Sequence, residues 1–375
     1  MEQFRELHRL LILQCVKKTK GALNYLCHFS SDVCFVSCLY PVINMNREGE
    51  NTIMFNSTFV RPLHFYLGGF YNIPHVKYYY VFLCFVYIMT VLSNGFLLSV
   101  IYLVKSLHTP RYIIVFNLAL TDLCGSTALI PKLLDTFLFN RRYIVYEACL
   151  TYMFFVLFFG SMQSWTLVIM AYDRFVAICF PLRYNIIVTR KSIVTILLCS
   201  WTSLVMVIGA LVGLLERLSF CASVVIQSFF CDHGPTYRLA CNNIYINYIM
   251  SNFTFAVVIC IPLVLIGATY ICISIALSRT ASREERLKAM RTCTSHLILV
   301  ALFFIPYLST NITVKTNGID PNMRILNSSL SHTVPSLLNP IIYALKTEEV
   351  ISAFKRFCKR RKINRLVSQL QTRTS

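Results

Sequence analysis

Two side chains of opposite charge stand together at Asp173-Arg174, just beyond a stretch from Leu150 to Val168 that carries no charge at all. An ionised group at the centre of a bilayer costs about 2.5–3.5 kcal/mol on insertion scales, so charges gather at helix ends, pair, or serve function. A stop-transfer anchor with a snorkelling arginine would account for an isolated pair of this kind. Asp122 is harder to place, because in Asn117-Leu118-Ala119-Leu120-Thr121-Asp122-Leu123 its carboxylate falls in mid-run. It must face the interior of a bundle and find a partner there. Asn94 and Asn339, from other apolar runs, and the amide of Gln163 are the candidates. They would form either a polar network that rearranges or a static, protonated carboxyl bonded to its neighbours. In Asn339-Pro340-Ile341-Ile342-Tyr343 the proline removes a backbone hydrogen bond and clashes with the preceding turn. That gives a hinge, with Asn339 placed to satisfy the freed backbone. His296 has no second metal ligand four residues on, so it reads as a packing or switch histidine. No nucleophile–base pair and no metal-binding cluster emerges, which argues against an enzyme and against a cofactor.

The elements that must hold these residues are long and greasy. The chain is 56% hydrophobic and only 14% charged, where a soluble protein would have about a quarter charged. Its net charge of +19 could point to nucleic acid, but the basic residues lie between apolar runs, which suits lipid headgroups better. Seven runs can be counted, near Tyr79–Val104, Tyr112–Leu138, Cys149–Ala171, Ile193–Leu214, Ile244–Leu277, Cys293–Leu308 and Ile325–Leu345. They are continuous rather than alternating and mostly long enough to span, so the fold class is an all-α membrane protein, a seven-transmembrane helix bundle.

Lysine and arginine concentrate in alternate loops: Lys105 and Arg111, then Arg183, Arg190 and Lys191, then Arg279 to Arg291, then the tail from Lys346. By the positive-inside rule the amino terminus is outside and the carboxyl terminus cytoplasmic, in a multi-pass plasma-membrane protein. Residues 1–54 fit this scheme poorly and read as an atypical, disordered extension; 55–346 form the bundle domain, and 347–375 a cytoplasmic tail. In that tail Val350, Ile351, Phe354 and Phe357 share one face beside Lys355, Arg356 and Lys359, the pattern of a short amphipathic eighth helix lying on an anionic leaflet. Cys358 is either a palmitoylation site or a plain thiol. Asn56-Ser57-Thr58 is a glycosylation acceptor ahead of the first helix. Cys149, Cys221, Cys231 and Cys241 fall in an oxidising context, and the sequence alone allows three connectivities.

The run Met170-Ala171-Tyr172-Asp173-Arg174-Phe175-Val176-Ala177-Ile178-Cys179 closely resembles the Met-Ala-Tyr-Asp-Arg-Tyr-Val-Ala-Ile-Cys motif of odorant receptors, a branch of the rhodopsin-like G-protein-coupled receptors. Pro335 to Tyr343 resembles the family's Asn-Pro-x-x-Tyr helix end, which implies that Tyr343 swings inward towards Tyr270 when the bundle opens. Lys288-Ala289-Met290-Arg291-Thr292-Cys293-Thr294-Ser295-His296-Leu297 resembles its Lys-Ala-Phe-Ser-Thr-Cys-x-Ser-His-Leu motif, departing from it at Met290 and Arg291. The likeness covers about residues 54–362 and is closer to fish-type receptors than to others. It implies bridges Cys149–Cys231 and Cys221–Cys241 that fold the intervening loop over a pocket. It implies a polar network at Asp122 that often holds sodium, an occupancy the residues leave open.

By the same resemblance, an odorant would lie in the outer half of the bundle near Val156, Leu157, Gly160, Ser161, Ser251, Thr254, Phe304, Tyr307 and Asn311. Mostly apolar walls with a few polar groups are the usual make-up of small-molecule sites. No carboxylate stands at that level of the third helix, so a permanently charged amine is a poor fit. Binding would favour an open bundle, move helix six outward, release Arg174 from Asp173 and admit a heterotrimeric G protein of the stimulatory olfactory type, raising cyclic AMP. Two rivals stand beside this expectation. A rhodopsin-like receptor for an internal lipid, nucleotide or peptide would lack the three-cysteine loop, and a transporter would want several charges at mid-membrane depth.

Overall fold

A computed structural model describes residues 59–70, 73, 75–221, 223–278, 283–315, 321–346 and 352. The amino-terminal extension, Asn56 and, apart from Ser352, the segment from Thr347 with its Cys358 lie outside these residues, as do the side chains of Lys288, Asn311 and Tyr343. Seven long helices follow one another: α1 Val76–Leu103, α2 Pro110–Leu138, α3 Tyr146–Cys179, α4 Arg190–Gly213, α5 Tyr245–Ser278, α6 Arg283–Lys315 and α7 Pro321–Lys346. The fold is a seven-helix membrane bundle. Among the described residues six helices are long and apolar enough to cross a bilayer. The seventh, α7, falls short in mean hydropathy because it turns small polar side chains inward: Ser329, Ser331, Thr333, Ser336 and Asn339 are all buried.

Local sequence sets the helix ends. Pro110 opens α2 at its first position, where a missing N–H costs nothing. Thr189 caps α4 by accepting from the Ser192 N–H, and Ser192 reaches back in a capping box. Two expected boundaries are corrected. Helix six spans Arg283–Lys315 rather than Cys293–Leu308, since polar side chains extend it beyond the apolar stretch at both ends. Helix three runs on past Ala171 to Cys179, so Asp173 and Arg174 sit inside its last turns rather than at its mouth.

Helix α3 is the central rod, packed against α2, α4, α5 and α6, while α1 packs on α2 and α7. One hydrophobic cluster, with Phe65, Met153, Phe229 and Phe230, fills the end that carries the disulfides. A second, with Ile114, Leu167, Phe303 and Phe304, fills the half towards Asp173. Lipid tails are as apolar as these side chains, so close packing and interhelical hydrogen bonds must supply much of the association. The outward faces of the helices stay greasy, as on α1 with Val81, Phe85, Ile88 and Leu92 exposed.

A small three-stranded sheet roofs the disulfide end, with β1 His64–Leu67 between β2 Tyr143–Val145 and β3 Val225–Ile226. Strand β1 pairs antiparallel with β2, Phe65 opposite Ile144, and parallel with β3, Tyr66 opposite Val225. Just after β1 the chain passes so close to the β3 segment that a Cβ on Gly69 would lie 2.8 Å from both the Ser228 carbonyl oxygen and Phe229 Cα. Only glycine permits that approach.

Candidate functional site: a polar core joining a lidded end to an acid-base end

Asp122 is fully buried, and both its oxygens are engaged. Gln163 Nε2 of α3 donates to Oδ1 at 2.9 Å and Asn339 Nδ2 of α7 donates to Oδ2 at 2.9 Å. Gln163 also donates to Ser336 Oγ at 3.1 Å, so three helices meet on one carboxyl group. Asn94 does not touch Asp122. Its Nδ2 donates to the carbonyls of Thr90 and Ser336, both at 3.0 Å. The Ser336 carbonyl is the one that Pro340, lacking an N–H, leaves without its helical donor. The residue that satisfies the proline hinge is therefore Asn94 from α1, not Asn339, whose amide is committed to Asp122. A second chain of bonds ties α2, α3 and α4: Trp201 Nε1 donates to Asn117 Oδ1 at 2.9 Å, and Asn117 Nδ2 donates to Thr166 Oγ1 at 2.8 Å.

At the other end Arg174 lies 3.6 Å from Asp173, a buried carboxylate that also accepts from the Tyr184 hydroxyl at 2.8 Å. Sequence reasoning missed Tyr184, which sits eleven residues on in the loop that folds back beneath α3. His296 of α6 binds two neighbouring helices at once. Its Nε2 meets the Leu167 carbonyl of α3 at 3.0 Å, and its Nδ1 meets the Tyr270 hydroxyl of α5 at 2.9 Å. A carbonyl can only accept, so Nε2 carries the hydrogen and Nδ1 accepts from the tyrosine. Tyr270 is thus engaged by His296, while its expected partner Tyr343 has its side chain outside the described residues.

Helix α5 is not regular where it faces α3. Residues Ala256–Cys260 form a π turn ahead of Pro262. Such a bulge disturbs the backbone ladder, and Ser164 Oγ of α3 donates to the Val258 carbonyl within it at 2.5 Å.

The lidded end is closed by the loop between α4 and α5. Cys149, at the start of α3, is bonded to Cys231, with Cα atoms 5.6 Å apart. Cys221 is bonded to Cys241, with Cα atoms 5.8 Å apart. Below this lid the expected pocket residues divide. Gly160 faces the Tyr307 hydroxyl, and a Cβ there would stand 3.3 Å from it. Ser251 and Thr254 of α5 are half-buried, and Thr254 Oγ1 is buried without a hydrogen-bond partner. Leu157 packs at the edge of the lid-end cluster, and Ser161 is turned onto its own helix, donating to the Leu157 carbonyl at 2.7 Å. Val156 is packed into the lid-end cluster and Phe304 into the opposite one, so both serve as wall and floor.

Other residues at this end gave no sequence signal. His332 of α7 lies 4.9 Å from the Tyr307 ring and 5.5 and 5.9 Å from those of Phe230 and Phe229. Asn327 Nδ2 links α7 to Ser309 and Thr310 of α6 at 2.9 and 2.8 Å. Asn247, one turn before Ser251 on α5, is fully buried with both amide atoms unpartnered. A groove of about 520 Å³ between α2 and α3, lined by Lys132, Tyr143, Tyr152 and Phe155, opens on the flank and includes none of these residues. Among the described residues there is no His, Cys, Asp and Glu cluster of metal-binding size.

A membrane bundle with a disulfide-pinned lid at one end, a buried carboxyl hub and a histidine-clasped acid-base end is the organisation of a seven-helix receptor. The olfactory receptor family profile matches residues 83–361. The chain is 35% identical to olfactory receptor 1 of Rattus norvegicus over 289 residues, covering 76% of this chain and 91% of that protein. It is 35% identical to olfactory receptor 52B2 of Homo sapiens over 300 residues, 79% and 92% respectively. It is 37% identical to olfactory receptor 51I2 of Homo sapiens over 276 residues, 73% and 88%. The chain belongs to the olfactory receptor family, whose members are odorant-sensing G-protein-coupled receptors of the plasma membrane and not enzymes.

Proposed function

We propose that a small organic odorant binds beneath the lid, among Gly160, Ser251, Thr254 and Tyr307, with Leu157, Ser161 and Asn311 around them. Asp173, Arg174, Tyr270, His296, Asn339, Pro340 and Tyr343 carry the signal to a stimulatory G protein that raises cyclic AMP. The lid then lies outside the cell and the tail after Leu345 in the cytosol, as the distribution of lysine and arginine requires. In this reading Asn56 is glycosylated, residues 347–375 form the membrane-surface tail, and sodium is an optional occupant at Asp122.

The observation that carries the reading is the double clasp of His296, which ties α6 to α3 and α5 at the end bearing Arg174. A ligand need only favour the state in which that clasp is open for the two ends to be coupled. An odorant panel on cells reporting cyclic AMP tests it. At least one small organic odorant should raise the signal, and Arg174→Ala should abolish that response with surface display intact. Full signalling by Arg174→Ala, or an epitope after Leu345 reachable from outside intact cells, would overturn it.

A further inference from the structure

The groove of about 520 Å³ on the flank of the bundle belongs to no site described so far. Its walls come from one face of each of two helices. Ala128 and Lys132 of α2 stand four residues apart, and Ala148, Tyr152 and Phe155 of α3 follow one another at intervals of four and three. The groove opens outwards, since Phe155 is 43% exposed and Tyr143 at its upper end 61%. From Tyr146, where α3 begins, to Phe155 is about 14 Å at 1.5 Å per residue. That is close to half of a hydrocarbon core about 30 Å thick, the depth of one leaflet.

The hydroxyls along α3 are already engaged. Tyr152 donates to the Leu129 carbonyl at 3.1 Å, and Thr151 to the Glu147 carbonyl at 2.9 Å. Walls of this kind suit hydrocarbon. Lys132 is the charged residue that lines the groove. Its Nζ lies 2.8 Å from Asp135 Oδ2, so the ammonium is drawn one turn towards the lid end, with the stem left along the helix. Arg141 Nη1 lies 3.5 Å from Asp135 Oδ1. Two cations therefore share one carboxylate, and one positive charge is in surplus. The Lys132 side chain is 33% exposed, so an anion from outside can reach it.

We propose that this groove holds one acyl chain of a membrane phospholipid, with the phosphodiester on Lys132 while Arg141 keeps Asp135 neutralised. A hydrocarbon trough one leaflet deep, with a spare cation at its headgroup end, matches that amphiphile in both length and charge. The occupant is a lipid rather than an odorant, because the groove faces the bilayer and shares no residue with the site beneath the lid.

Photo-crosslinking of the purified full-length receptor in detergent tests it, with phosphatidylcholine carrying a diazirine midway along one acyl chain as the probe. Label should centre on residues 148–155 and 128–132. Unlabelled phosphatidylcholine should compete about fivefold better than diacylglycerol with the same chains, the difference made by one charge pair at a part-exposed site. Lys132→Gln should bring that preference to within about twofold without moving the label, and Ala148→Phe should fill the groove and remove most of it. Label spread evenly over the outward faces of the helices, equal competition by diacylglycerol, or an unchanged preference in Lys132→Gln would each overturn the proposal. Displacement of the probe by hexanol would assign the groove to a soluble ligand, and loss of label on dimerisation would assign it to a second copy of the receptor; either result also overturns it. Should Ala148→Phe not fold, the label map and the competition on the native receptor decide.

Discussion

Asp122 shows how much can hang on a single carboxyl group. Gln163 and Asn339 both aim buried amides at it, so removing it strands two donors at once. A buried donor left unpaired costs about 1–3 kcal/mol, and we expect Asp122→Ala to lose about 2–4 kcal/mol, read as a lowered melting temperature of the purified receptor. Tyr184 makes a different contribution, since its hydroxyl helps hold Asp173 in place beside Arg174. Tyr184→Phe removes about 1 kcal/mol from the closed state only, which should raise ligand-independent cyclic AMP by about fivefold at equal surface display. Asp122 was legible in the sequence because a carboxylate in an apolar run demands partners, and two of its partners could be named from their own depth. Which asparagine serves the proline hinge was not legible. Asn94 and Asn339 are both amides at suitable depth, and only the helix rotations decide that Asn94 reaches the Ser336 carbonyl.

Among the elements, the lid is the most exacting. Gly69→Ala would push a methyl group into the Ser228 and Phe229 backbone at 2.8 Å. Overpacking of this order costs about 1–3 kcal/mol, so we expect reduced surface display and a lower melting temperature, with display recovering at lower growth temperature. The short helical turn His233–Tyr237 and the Asp232 that precedes it carry two titratable groups shifted in opposite senses. Burial pushes the Asp232 carboxyl up to about 6, against the opposing pull of the neighbouring His233 and Gly234 backbone and the charge of Arg238. Burial pushes the His233 imidazole down to about 4, with the Leu211 backbone acting weakly the other way. A depressed histidine gives stability that is present above its unfolded value near 6.5 and lost as pH falls towards about 4. A raised carboxyl gives stability that is present below 3.8 and lost as pH rises through about 6. Between about 4 and 6 the two oppose each other, so melting temperature should change little there in the native receptor. Asp232→Asn should uncover the histidine and make stability fall steadily on acidification from about pH 6.5 to 4. The helices themselves were legible as apolar runs. The π turn and the helix-six overrun were not, because a bulge leaves no mark on hydropathy and a polar helix end looks like a loop.

At the scale of the molecule, the two disulfides close chain segments of very different length, 82 residues for Cys149–Cys231 and 20 for Cys221–Cys241. On a chain-entropy argument the longer closure stabilises more, by about 1 kcal/mol out of roughly 3–5. Cys149→Ser should therefore lower the melting temperature more than Cys221→Ser, and it should also free the lid from the start of α3. Four cysteines could be singled out from their surroundings, but three pairings were equally open until the family motifs were brought in. What the lid does with its neighbours was beyond reach, because His332 stands 102 residues from Phe230 and 103 from Phe229, the lid rings it meets.

The roof has a further implication for how a newly made chain is completed. Strand β1 is the middle strand, yet its two neighbours come from residues 143–145 and 225–226. The segment at 64–67 therefore waits, with backbone donors and acceptors unmatched, until well over half the polypeptide has left the ribosome and been threaded through the bilayer. Closure of the roof is a late event in biogenesis, and a receptor stalled before it would present an open sheet edge to the quality-control machinery.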